Sequence, residues 1–123
     1  MLNKLRNEIH KNAVEHGWWK EERSFGEIIA LCHSELSEAL EEYRAGKGFI
    51  YCKHHNADCL HESCFDCLEI NHQKPEGIAT ELADCIIRIL DYCGKEEIDI
   101  KEVIRIKHEY NKTRPHKHGG KKI

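Results

Sequence analysis

Ser24-Phe25-Gly26-Glu27 has the form of a capping box, and it opens an amphipathic run from Phe25 through Tyr43 that Gly46 can end. A helix of that length has an apolar stripe to bury, and the partners that suit it are other helices. Three more segments repeat the helical period. Leu2, Leu5, Ile9 and Ala13 share a stripe that runs out at Gly17, a residue suited to the left-handed turn after a helix. Pro75 suits a first helical position, ahead of an apolar face made by Ile78, Leu82, Cys85, Ile86, Ile89 and Cys93 that stops at Gly94. Asp99 can cap a last helix, with Glu102 three residues on and Ile100, Val103 and Ile104 facing inward, fading near Tyr110. Strand patterning is confined to Gly48-Phe49-Ile50-Tyr51-Cys52. The expected architecture is an all-α, four-helix bundle, a single domain over residues 1–123, with an insert at about residues 47–73 between helices two and three.

A chain of 123 residues buries only part of its apolar surface, so self-association is expected. A third of the residues are charged, yet the net charge is only −3, which gives no bulk reason to bind a nucleic-acid polymer or an anionic membrane. No apolar run approaches the roughly 20 residues that cross a bilayer, and Met1-Leu2-Asn3-Lys4 lacks the apolar stretch of a signal peptide. A cytoplasmic location is the expectation that follows.

Helix two carries Glu35 and Glu38, and helix three carries Glu81 and Asp84, each pair three residues apart and so on one helical face. At about 100° per residue, the apolar face of helix two centres near Cys32, Leu36 and Tyr43, with Glu35 inside its edge. Glu38 and Glu42 lie farther round, and Glu81, Asp84 and Arg88 are displaced from the apolar centre of helix three in the same rotational sense. Residues displaced alike converge on one side if the two helices are antiparallel and diverge if they are parallel. Four converging carboxylates repel one another and lose hydration unless divalent cations compensate them, and all-oxygen ligation favours Mg²⁺, with Mn²⁺ possible. The alternative is a solvated acidic face, which is what most acidic clusters on helices are.

The stretch His33-Ser34-Glu35-Leu36-Ser37-Glu38-Ala39-Leu40-Glu41-Glu42-Tyr43, followed by Lys74-Pro75-Glu76-Gly77-Ile78-Ala79-Thr80-Glu81-Leu82-Ala83-Asp84, resembles the MazG-like nucleotide pyrophosphohydrolase family. The likeness rests on the ordered ExxE and ExxD pairs with the Lys-Pro-Glu-Gly-Ile-Ala lead-in, and the segment from His108 to Gly120 is similar to the ends of some members. Ser34 stands where the fuller EExxE pattern has another Glu, and the intervening segment exceeds the usual spacing. The resemblance implies the all-alpha nucleoside triphosphate pyrophosphatase superfamily. Its members are generally dimers or tetramers that use Mg²⁺ to convert NTPs or dNTPs to monophosphate and pyrophosphate. The metal ligands would then be Glu35, Glu38, Glu81 and Asp84, with Glu38 or Glu42 orienting the attacking water or taking its proton. Arg88, Lys112, Arg114 and Lys117 are candidates for gripping phosphates, although a basic tail is also commonly a solvated end and Arg88 can instead simply pair with Asp84 or Glu81. Trp18 and Trp19 can stack on a base whose edge Asn12 or His16 reads, or can simply divide between core and surface.

The seven cysteines are unevenly placed. Cys32, Cys85 and Cys93 fall on apolar arcs of helices and read as core residues. Cys52, Cys59, Cys64 and Cys67 sit in the insert beside His54, His55, His61 and His72. Cys64-Phe65-Asp66-Cys67 has the spacing for two thiolates on one tetrahedral ion, and Cys59 plus Cys52, or a histidine in its place, completes a structural Zn²⁺ site. Free or adventitiously oxidised thiols are the competing reading. Two other functions stand against the hydrolase. A di-iron bundle needs Glu-x-x-His on two helices, and only Glu69-Ile70-Asn71-His72 occurs, in the insert. A non-enzymatic zinc-binding interaction module would use the insert as its working surface and the helices as its support.

Overall fold

The Ser24 hydroxyl accepts the Glu27 backbone N–H at 3.1 Å, and from that cap α2 runs over Phe25–Arg44. Gly46 follows it with φ +72°, a left-handed position that glycine adopts without steric cost. The structure is a computed structural model that describes residues 1–52, 68 and 74–115. Among them α1 spans Leu2–Glu15, α3 spans Ile78–Lys95 and α4 spans Ile100–Thr113, so the protein is mainly helical, as its periodicity requires. Gly17 ends α1 at φ +83°, and the Trp18 N–H turns back to the Ala13 carbonyl at 3.0 Å.

Two residues of strand, β1 at Tyr51–Cys52, pair antiparallel with β2 at Pro75–Glu76, in the register Tyr51 opposite Glu76 and Cys52 opposite Pro75. Pro75 therefore does not begin the third helix as its type suggested. The first turn of α3 is satisfied from outside the helix instead: Gly48 and Phe49 offer their carbonyls to the N–H groups of Ile78 (3.2 Å) and Ala79 (2.8 Å). That close approach explains Gly77. Its φ is +117°, and a Cβ there would strike the Phe49 carbonyl.

Gly94 likewise does not stop α3, which continues through it to Lys95, and the left-handed residue after the helix is Glu97 at φ +54°. What Gly94 does is admit α1, since a Cβ at that position would lie 2.6 Å from the His10 Cβ. α3 thus packs between two helices, α1 on one side and α2 on the other. Facing pairs fix the α2 direction: Phe25 meets Tyr92, Cys32 meets Cys85 and Glu38 meets Glu81, so numbers rise along one helix as they fall along the other. The two helices are antiparallel.

The core of the three packed helices is rich in small residues, with Ala13, Cys32, Ala39, Cys85 and Cys93 buried alongside Ile28 and Leu90. Two expectations fail here. Leu36 and Tyr43, placed by periodicity at the apolar centre of helix two, are 46% and 70% exposed, because Ile28, Cys32, Glu35 and Ala39 face α3 instead. Val103 and Ile104 are also half exposed, and α4 buries none of its residues. α4 is tied at its start, where Asn3 donates to Asp99 at 2.7 Å and accepts from the Lys101 N–H at 3.3 Å, and its main helix neighbour is α1, which it touches only slightly. Among the described residues, three helices pack together and α4 lies largely to one side of them. No helix among the described residues is long and apolar enough to cross a membrane.

Candidate metal centre

Antiparallel packing brings the same-sense displacements of α2 and α3 to one side, and the acids meet there. Carboxylate oxygens of Glu35, Glu38 and Glu81 all lie within 4.8 Å of one another. Oxygens on opposite sides of an Mg²⁺ ion are about 4.2 Å apart, twice a bond of roughly 2.1 Å, so three carboxylates at this spacing are donors of the type a hard divalent cation takes and would need to close by at most roughly 0.6 Å to share it. Asp84 borders the group without joining that triplet. The Glu35 charge acts on it, and together they line one wall of a neighbouring cavity.

Glu35 is buried and bonded to Arg88, whose Nε donates to its Oε1 at 2.8 Å. Burial alone would raise the Glu35 pKa, but the Arg88 bond and charge, with bonds from Glu38 and Glu81, outweigh it and leave the group below its usual value. Glu81 goes the other way. Burial, then the Glu38 bond and charge, then the Asp84 and Glu35 charges, push it up to about 7. Asp84 is raised too, by burial first and by Glu35 second, against Arg88 and Lys74. The Arg88 guanidinium set on Glu35 offsets part of the negative charge gathered here.

A second carboxylate triplet shares Glu81. Oxygens of Glu42, Glu76 and Glu81 lie within 4.8 Å of one another. Tyr51 donates its hydroxyl to Glu42 at 3.0 Å, and Lys74 reaches to 3.5 Å from the buried Glu76. Burial and the Glu42 bond hold the Tyr51 pKa up at about 12, so its phenol remains a donor throughout the physiological range. Glu76, Tyr51 and Lys74 were not singled out from the sequence as site residues. Their signal was present in the Lys74-Pro75-Glu76 lead-in, but reading Pro75 as a helix start put Glu76 on the wrong element.

Two recesses flank the acids. One, of about 540 Å³, opens between α1 and α3 and is lined by Glu8, Asn12, Trp18, Glu35, Asp84 and Arg88, with Leu5, Ile9, Ala13, Ile87 and Asp91. The other, of about 400 Å³, is bounded by Glu38, Glu42, Lys47, Tyr51 and Glu81. Trp18 thus faces the larger recess, and its ring carries the Arg23 guanidinium at 4.7 Å and that of Arg88 at 5.3 Å. Trp19 does not line it. The Trp19 indole N–H donates to both Asp91 oxygens, at 3.0 and 3.2 Å, and His10 Nδ1 lies 2.8 Å from the same carboxylate, which ties α1 to α3. Of the two proposed base readers, Asn12 lines the recess, whereas His16 Nδ1 sits 2.8 Å from the Asn12 carbonyl.

Lys112 pairs with Glu109 at 2.9 Å and Arg114 lies 6.0 Å from the Tyr110 ring centroid, so both have partners on or beside α4 and neither is brought to the acids. Lys117, Cys59, Cys64 and Cys67 lie outside the described residues. Cys52, in β1, is buried where the insert departs. Compared with known proteins, the chain matches no family model, no curated protein and no solved structure.

Proposed function

We propose that the protein is a divalent-cation-dependent hydrolase that converts nucleoside triphosphates, NTP or dNTP, to monophosphate and pyrophosphate. One observation carries the reading: Glu35, Glu38 and Glu81 converge within 4.8 Å on antiparallel helices, beside a recess of nucleoside size walled by Trp18. The likeness of the two acidic motifs to the MazG-like family supplies the reaction type.

Glu35, Glu38, Glu81 and Asp84 would hold Mg²⁺, or Mn²⁺ in its place, and the ion supplies neutralisation of phosphate charge and a lowered pKa for water. The residues do the rest. Glu38 or Glu42 orients the water for attack on the α-phosphorus and accepts its proton, and Tyr51 fixes Glu42 through its hydroxyl bond. As the new P–O bond forms, the bond from the α-phosphorus to the α–β bridging oxygen breaks, and pyrophosphate leaves. Arg88, already drawn to the junction of acids and recess by Glu35 and Trp18, is placed to grip a phosphate. Trp18 offers a face to the base and Asn12 an amide to its edge. Zn²⁺ bound by Cys52, Cys59, Cys64 and Cys67 is the proposed structural support of the insert.

The test is a panel of NTPs and dNTPs incubated with Mg²⁺, with monophosphate and pyrophosphate quantified. Turnover by the native chain, reduced at least 100-fold in Glu38→Gln and Glu81→Gln proteins that keep their helical circular dichroism, is the expected result. Equal rates in variant and native protein would reject the assignment. Absence of turnover, with zinc bound in the insert, would favour the interaction-module reading.

A further inference from the structure

Trp18, the aromatic wall of the larger recess, stands on a turn rather than on a helix. Gly17, Trp18, Trp19 and Lys20 make that turn, closed by the Lys20 N–H on the Gly17 carbonyl at 3.3 Å, with the two tryptophans at its centre. A binding group on a connection between helices is only as well placed as whatever fastens that connection. Trp18 is 43% exposed and is held chiefly through its backbone, where its N–H reaches the Ala13 carbonyl and its own carbonyl accepts the Arg23 Nε–H at 3.1 Å. The side chain that is tied down is its neighbour's. The Trp19 indole N–H donates to both Asp91 oxygens, and one turn farther along α3 the Lys95 ammonium lies 5.2 Å from the centroid of its ring. α3 therefore holds this indole by its edge and by its face.

We infer that Trp19 is a positioning residue: anchored on Asp91 and Lys95, it fixes the turn that presents Trp18 to the recess and so sets nucleoside affinity without itself lining the recess. The inference rests on the nucleotide reading of that recess. Two features support it. Consecutive residues in one hydrogen-bonded turn share a planar peptide and few soft dihedrals, so freeing one indole displaces the other. The anchor also stands on the helix that carries the acids, since Asp91 and Lys95 continue the stripe of Glu81, Asp84 and Arg88 at spacings of three and four. About 10 Å of helix rise separates Asp84 from Asp91, so one rigid element sets the distance between the acids and the aromatic wall. If Asp91 served only to tie α1 to α3, His10, whose Nδ1 lies 2.8 Å from the same carboxylate, would matter as much as Trp19.

The test uses matched deletions. Trp19→Phe and His10→Phe each keep a ring and remove one ring nitrogen from Asp91, and both should melt below the native protein. Binding is read by titration calorimetry of adenosine, guanosine, cytidine and uridine monophosphates in Mg²⁺, which need no turnover, beside steady-state rates on the matching triphosphates. Trp19→Phe should weaken monophosphate binding and raise KM by about tenfold while kcat stays within about twofold, because the shifted wall is remote from the reacting phosphorus. His10→Phe should leave binding and KM at native values. Asp91→Asn, with one acceptor oxygen in place of two, should weaken binding as Trp19→Phe does, and it decides the matter if Trp19→Phe fails to fold. Removing a carboxylate would by itself favour an anionic ligand, so weakening there traces to the turn. Native affinity in Trp19→Phe protein overturns the inference, as does equal weakening by His10→Phe, and as does a native chain that binds none of the monophosphates. A native chain that binds them but leaves triphosphates intact sinks the hydrolase reading alone, and the affinities still decide the role of Trp19.

Discussion

Glu81 belongs to both carboxylate triplets, and its ionisation reports the burial and the carboxylates crowded around it. Its pKa, near 4.5 in an unfolded chain, is pushed up to about 7 in the fold by burial and by the Glu38, Asp84 and Glu35 carboxylates. A carboxyl raised in this way favours the native state where it is protonated. Its contribution is fully present below about pH 4.5 and is lost as pH rises through about 7. In chelator, the melting temperature should therefore fall between pH 5 and pH 8 through this group, and millimolar Mg²⁺ should restore it most strongly at pH 8, where the proton no longer competes. Glu81→Gln should flatten both responses in calorimetry. An unchanged pH slope in that variant would show that Glu81 is not the group responsible. At this scale the sequence was informative where two acids sit three apart on a helix, as Glu35 and Glu38 do. It was silent on Arg88 choosing Glu35, because a pairing between helices depends on their relative height, which no local spacing encodes.

Element boundaries divided along a physical line. Those set by local chemistry were legible: Ser24 caps α2, and Gly17 and Gly46 take left-handed turns. Those set by a neighbouring backbone were not. Pro75 fits a helix start on its own, but the carbonyls of Gly48 and Phe49 already occupy the first N–H groups of α3, and the chain enters the helix through Gly77 as part of a two-residue ribbon. Gly94 fits a helix end, but it is the contact point for α1. Gly77→Ala should consequently cost about 1–3 kcal/mol in urea unfolding from the left-handed backbone alone. It should weaken Mg²⁺ binding as well, since the displaced ribbon carries Glu76 and Tyr51. Ala at Gly26, which has space around it and no positive φ, should be close to neutral. If the two substitutions cost the same, the close approach at Gly77 is not what constrains that turn.

Over the whole molecule, helix content and the meeting of the acids were legible, because both follow from periodicity once α2 and α3 run in opposite directions. The burial pattern was not. Periodicity marks which residues are apolar, and it cannot say what covers them, so Leu36, Tyr43 and Val103 were assigned to a core that leaves them about half exposed or more. The insert belongs to this scale too, since in the proposed zinc site its Cys59, Cys64 and Cys67 would act together through an ion shared with Cys52. About one zinc per chain by elemental analysis of protein purified without added metal is the expected result. None would leave the cysteine spacing without a metal-binding explanation.

The ribbon at Tyr51–Cys52 and Pro75–Glu76 has one more consequence. Departing and returning strands stand side by side there, so the excursion beyond them is tied off like cloth through an eyelet. Each doubling of such an excursion adds only about 0.6 kcal/mol of closure entropy. The length of chain between Cys52 and Pro75 therefore bears only weakly, through closure entropy, on the helices that gather the acids.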